Sequence, residues 1–179
     1  MKKYKILIFL HGTIIMHKNA IGKTREEIVK QVKVQEKSVR DFGSYVPIGN
    51  AVKKLNNWAK QGAMIFYLSA LTEDKKVRGD EIVGKEGLKV DKEILNKYGF
   101  PKGRVYHRKK GESYAQIAEK IKPDILIEDD CESVGGAEQM VITFIKPEIK
   151  QQIKSIVVKE FGGINHLPDN LGNLFSYKN

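Results

Sequence analysis

The chain has one cysteine, Cys131, five prolines, one tryptophan and no long apolar run. A single thiol excludes an internal disulfide and fits a reducing compartment. No apolar stretch approaches the roughly 20 residues that cross a bilayer as a helix, so no membrane segment is expected. The basic start, Met1-Lys2-Lys3-Tyr4, leads into an apolar stretch too short for a signal peptide. Together these absences predict a cytoplasmic location. Low-complexity tracts, repeats and Pro/Gly/Ser-rich linkers are also missing, which argues for one domain over residues 1–179. Acids are the scarcer charge, 22 against 32 Lys and Arg, for a net charge of +10. That excess admits an anionic partner, either nucleic acid or a phosphorylated metabolite. The lysines are spread along the whole chain, however, as they are when they solvate helix faces.

What is present is an alternation of apolar runs and amphipathic stretches, the pattern of an α/β fold with a parallel sheet. Lys5 to Thr13 is an apolar run ending in a Gly-Thr turn. It reads as a buried parallel strand that delivers a loop to the sheet's carboxyl edge, where open α/β sheets bind ligands. Gly12 lets the backbone approach a ligand closely, and Thr13 adds a hydroxyl. Thr24-Arg25-Glu26-Glu27 is a capping box that opens a helix running to about Arg40. Its apolar face, Ile28, Val32, Gln35 and Val39, is sparse, which suggests a small cap over the cleft, an insert spanning about 14–46.

Ile48 to Gln61 is amphipathic, with Val52, Leu55, Trp58 and Ala59 at helical spacing and Gly62 as the stop. Ala63 to Leu68 is a second buried strand, ending at Ser69. Thr72 to Gly87 reads as a loop plus a poor helix, Val90 to Tyr98 as a helix, Arg104 to His107 as a short strand, and Ser113 to Ile121 as a helix. Pro123 to Asp130 is an apolar strand that ends in three acids, Glu128, Asp129 and Asp130. Adjacent carboxylates repel, so the cluster calls for a cation or a basic partner. A helix N-terminus or a solvated turn is the other reading. Farther on, Val141 to Ile145 is a strand or helix end, Pro147 to Ile153 a helix and Ile156 to Phe161 a strand. The tail from Gly162 either covers the cleft or is ordinary surface. His17, His107 and His166 show no metal-ligand spacing and read as surface or turn residues.

The ordered set of strand ends resembles the haloacid-dehalogenase-like (HAD) hydrolase superfamily. In that family the first strand ends in Asp-x-Asp-Gly-Thr; here the stretch reads Phe9-Leu10-His11-Gly12-Thr13. Pro47-Ile48-Gly49 through Leu68-Ser69 matches the approach to the second motif, Lys109 or Lys110 the third, and Glu128 to Asp130 the fourth. The resemblance implies a Rossmannoid three-layer sandwich with a small helical cap. It also implies phosphate binding by Gly12, Thr13, Ser69 and Lys109 or Lys110, with Mg²⁺ held by Glu128, Asp129 and Asp130. The family's first aspartate attacks phosphorus and binds the metal, and Phe9 offers neither a lone pair nor a charge. His11 stands where the family has its second aspartate. It is either an acid/base, or a phosphorus nucleophile, or a structural residue in a site that has lost its reaction. Three functions follow as expectations: a phosphate-binding protein without aspartyl-phosphate catalysis, a metal-dependent phosphohydrolase, nucleotidase- or phosphatase-like as the small cap of the resemblance implies, using Glu128/Asp129 and His11, or a module that binds nucleic acid or protein.

Overall fold

The computed structural model describes residues 3–72 and 85–179, so most of the loop and poor helix expected over 72–87 lie outside the described residues. Strand β1 (Lys5–Phe9) is followed by a short strand β2 (Ile15–Met16), helix α1 (Arg25–Lys33) and strand β3 (Val46–Pro47). Helix α2 (Ala51–Lys60), strand β4 (Met64–Thr72), helix α3 (Lys85–Lys97), strand β5 (Arg104–Arg108) and helix α4 (Tyr114–Ile121) come next. Strand β6 (Ile125–Asp129), the one-turn helices α5 (Val141–Phe144) and α6 (Pro147–Lys150), and strand β7 (Lys154–Val158) complete the main elements.

Five strands form one sheet in the order β5-β4-β1-β6-β7, and every pairing in it is parallel. β1 lies at the centre, its apolar residues buried on both faces as a parallel strand requires. Side chains alternate across it. Ile6 and Ile8 enter the core shared with Leu55, Trp58 and Ile94, from α2 and α3. Leu7 enters the opposite core with Ile117, Ile121 and Val141, from α4 and α5. Helices therefore cover both faces. From β1 the chain crosses to one side and from β6 to the other, so the crevice at a topological switch point opens between their carboxyl ends.

The Thr24 capping box forms as read, with the Thr24 hydroxyl accepting from Glu27 N and Glu27 reaching back to Thr24 N. α1 nevertheless stops at Lys33, short of the expected Arg40, because Gln35 takes a left-handed φ of 53° and breaks the helix. Two 3-10 turns, Lys37–Arg40 and Phe42–Ser44, carry the chain on to β3, which pairs antiparallel with β2. The tail packs on α2, not over the cleft. Trp58 Nε1 donates to Pro168 O at 3.0 Å, and buried Lys54 Nζ donates to Leu167 O at 2.7 Å. His17, expected at the surface, is instead buried, 2.9 Å from Gln31 Oε1. A polar partner inside the fold removes the cost of burying it.

Candidate functional site

The carboxyl ends of all five sheet strands reach the crevice. At the end of β1, Phe9 is half-buried and its ring stands edge-on to Tyr114, centroids 5.1 Å apart. Leu10 turns into the core, and its N–H donates to Leu68 O. His11 then points along the cleft wall, edge-on to Phe42 and Tyr45. Its Nδ1 accepts from Ala70 N at 3.3 Å, which assigns the ring proton to Nε2. Nε2 lies 3.1 Å from Asp91 Oδ1, near it but off the line of a hydrogen bond. Asp91 is 1% exposed, and its other oxygen accepts from Ser69 Oγ at 2.5 Å.

Ser69 sits in an irregularity of β4, where the register against β5 shifts between Leu68 and Thr72. Such a bulge re-aims side chains. It turns the Ser69 hydroxyl toward Asp91 and away from the cleft; Ser69 is fully buried and does not line it. Gly12, placed with Ser69 in the expected phosphate cradle, has its own amide bonded to Ile15 O. Thr13 donates to Asp129 Oδ2 at 2.6 Å. The cradle read from the sequence is therefore turned inward, holding the fold and its carboxylates.

At the end of β6 the three acids diverge. Glu128 turns to the start of α5, where Val141 N and Ile142 N donate to its two oxygens at 2.6 and 3.0 Å. Burial pushes its carboxyl up to about 7, and those two amides oppose the rise. Asp129 is buried beside Thr13, its second oxygen accepting from Cys131 N at 3.0 Å. Burial raises its pKa as well. Asp130 is gripped by both oxygens from Arg25 at 2.9 and 3.0 Å. Arg25 also pairs with Glu132 and donates to Glu160 O, which ties α1 to the ends of β6 and β7.

The structure adds Glu160, just past β7, to this group. Its oxygens accept from Ser133 N and Ser133 Oγ at 2.7 and 2.6 Å, and burial raises its pKa too. One oxygen each from Asp129, Asp130 and Glu160 lie within 4.8 Å of one another, while Glu128 stands apart on its amides. Gly12 seals the cluster from the β1 side. With φ at +83°, a Cβ there would stand 3.1 Å from Asp129 Oδ2 and 3.2 Å from Glu160 Cγ. Phe161 N donates to Gly12 O at 2.6 Å and fixes the approach.

The donor set suits a hard cation. It is all oxygen, and among the described residues neither Asp129 nor Glu160 has a basic partner. Asp130 is shared with Arg25, so of the three clustered carboxylates Asp129 and Glu160 are the two without a basic partner among the described residues.

The β5 end supplies a cation to the cleft, in addition to Arg40 at the rim. Arg108 lies over the Tyr114 ring, 4.3 Å from its centroid, and its buried Nε has no hydrogen-bond partner. Lys109 and Lys110 face a separate shallow depression with Glu112 and Lys120. Cys131 lines the cleft, but burial and the neighbouring carboxylates push its thiol pKa up, which keeps it protonated. The cleft encloses about 400 Å³, between an acidic floor and a rim that includes Val32, Val39 and Phe42 from the segment joining β1 to α2.

The sequence pattern does not single out Glu160, Arg108 or Asp91 as site residues. For the first two a signal existed, since each closes an apolar or aromatic strand at the same sheet edge as Asp129. Asp91, inside a charged helical stretch, carried none.

No protein-family model matches the chain, and no curated protein matches it in sequence. Solved structures do match in fold. A class C acid phosphatase from Bacillus anthracis with tungstate bound superposes with a TM-score of 0.54 at 11% identity, over 91% of this chain and 70% of that one. An apo phosphoserine phosphatase gives 0.45 at 14%, over 89% and 95%. A D,D-heptose 1,7-bisphosphate phosphatase from B. bronchiseptica, complexed with magnesium and phosphate, gives 0.45 at 9%, over 89% and 94%. The fold is HAD-like, a Rossmannoid parallel sheet flanked by helices.

Proposed function

We propose that the cleft binds a phosphate-bearing small molecule together with Mg²⁺, and that it does not run aspartyl-phosphate chemistry. The observation that carries this reading is Phe9. A hydrocarbon ring packed on Tyr114 occupies the end of β1, where a phosphoryl-accepting carboxylate would have to stand. The rest of the edge still suits an anion. Arg108 brings a guanidinium to the cleft wall, and Mg²⁺ on Asp129 and Glu160 would turn a repelling floor into an attracting one. Bound there, the ion supplies charge neutralisation for a phosphate oxygen. Residues 14–46 act in this reading as the small cap, and phosphate binding passes from Ser69, Lys109 and Lys110 to Arg108.

A second reading keeps turnover, and His11 favours it. Its imidazole lines the cleft, is backed by a buried carboxylate and sits across the crevice from Asp129 and Glu160. That is an arrangement for moving a proton to or from water. With Nδ1 accepting from Ala70 N and Nε2 facing Asp91, neither nitrogen is free to attack phosphorus, so acid/base work is the role left to it.

Phosphate release across a panel of phosphomonoesters, with and without Mg²⁺, separates the two. Binding without release in a folded protein supports the first. Mg²⁺-dependent release lost in both Asp129→Ala and His11→Ala establishes the second. Failure to bind any phosphate ester in the presence of Mg²⁺ rules out both.

A further inference from the structure

We infer that the ligand of this cleft is a phosphate monoester carrying a planar ring, of which a nucleoside monophosphate is the form best suited to the rim. The inference rests on the phosphate-binding reading and names the other end of the molecule. Five aromatic side chains converge on the cleft: Phe9, Phe42, Tyr45, Tyr114 and Phe161. They come from four separate segments, Phe42 and Tyr45 sharing one 3-10 turn, so no single local periodicity gathers them. Four of the five are only half-buried, which leaves ring surface facing the void. Filling that surface with a flat ring gains stacking that an aliphatic chain does not provide. Arg108 already sits over the Tyr114 ring and so brings a phosphate-binding group to the edge of an aromatic wall. At about 400 Å³ the cleft falls in the size range of small-molecule sites, roughly 300–1,000 Å³.

The backbone around the cleft supports a ligand rather than plain packing. Among the described residues, four non-glycine residues adopt positive φ, and three of them line the cleft: Gln35, Cys131 and Phe161. Lys122 and Gln35 are both ordinary left-handed ends of helices, α4 and α1, which leaves Cys131 and Phe161 as the strained positions at the cleft. Strained backbone that persists at one cleft is the pattern of a ligand clamp. At the rim, Gln35 and Gln139 add carboxamides. Gln139 offers both donor and acceptor, while the Gln35 oxygen already accepts from Arg40 at 2.7 Å and leaves its amide NH2 to donate, groups that suit the edge of a nitrogen heterocycle.

Calorimetric titration of the full chain in Mg²⁺ tests this with inorganic phosphate, ribose 5-phosphate, phenyl phosphate, adenosine 5′-monophosphate and adenosine. The ring pocket predicts adenosine 5′-monophosphate binding at least tenfold tighter than ribose 5-phosphate. It also predicts that Phe42→Leu shrinks this gap without changing affinity for ribose 5-phosphate, whereas Arg108→Gln weakens every phosphate alike. Leucine at residue 42 keeps the apolar volume of a half-buried rim position, so the fold is preserved. Phenyl phosphate matching the nucleotide assigns the gain to stacking, and a weaker phenyl phosphate assigns part of it to the glutamines. Equal affinity for nucleotide and ribose 5-phosphate overturns the ring pocket and leaves the phosphate reading standing. Adenosine binding as tightly as its monophosphate overturns the phosphate reading instead.

Discussion

The ends of β1 and β6 lie side by side at the same sheet edge and have been built in opposite ways. β1 closes with a hydrocarbon ring and a histidine whose two nitrogens face an amide and a buried carboxylate. β6 closes with three carboxylates, each supported differently: one by helix amides, one by a hydroxyl and an amide, one by an arginine. β1 itself ends without a carboxylate, and Glu160, just past β7, comes to lie against its Gly12. A shared scaffold therefore does not fix which strand carries the charge. The sheet fixes only where charge, if present, will meet.

Giving β1 the character of β6 should have the largest effect. Phe9→Asp removes the ring from Tyr114 and adds a carboxylate near Asp129. We expect a loss of about 4 kcal/mol in urea unfolding, partly recovered by Mg²⁺. Loss without any Mg²⁺ recovery would mean that no cation joins the two ends.

The next effect is the pH response of β6. The Glu128 carboxyl moves from 4.5 to about 7 on folding. The native state thus binds more protons than the unfolded chain between those values, and stability falls as pH rises through them. The fall is on the order of 3 kcal/mol. Asp129 and Glu160 shift in the same direction and add to it. Urea unfolding from pH 4.5 to 8 should show this decline, with a flatter slope in Glu128→Gln. An unchanged slope in that variant would place the titration elsewhere.

A smaller loss is expected on the β1 side from Asp91→Ala, which strips Ser69 and His11 of their buried partner. The cost is about 2 kcal/mol by thermal or chemical unfolding, with a change in the His11 ring resonances seen by NMR. The smallest is Thr13→Val, which removes the hydroxyl that β1's loop lends to Asp129. About 1 kcal/mol is expected, together with weaker stabilisation by Mg²⁺ as Asp129 loses its orientation.

Much of this edge was legible in the chain because strand ends have a local grammar. Ile125 to Ile127 followed by Glu128-Asp129 announces a buried strand arriving at polar chemistry, and Thr24 with Glu27 announces a helix start. Partner choice has no such grammar. Ser69 looked like a free hydroxyl until α3 brought Asp91 beneath it, and Glu128 looked like a metal ligand until α5 presented two amides. Lys109 and Lys110 outnumbered Arg108 in the sequence, yet a one-residue difference at the end of β5 decides which side chain enters the cleft. Side-chain direction alternates residue by residue at a strand end, so composition alone could not separate them.

The central position of β1 has a kinetic side. Ile6 pairs with Ile65 on one flank and Ile125 on the other, partners about 60 and about 120 residues along the chain, so both ladders form only after long loops close. High contact order of this kind slows folding and leaves the strand's unpaired edges open meanwhile. It also means that no fragment carries half of the cleft. His11, Arg108, Asp129 and Glu160 meet only once the sheet is whole, so the capacity to bind should appear in refolding as one late step.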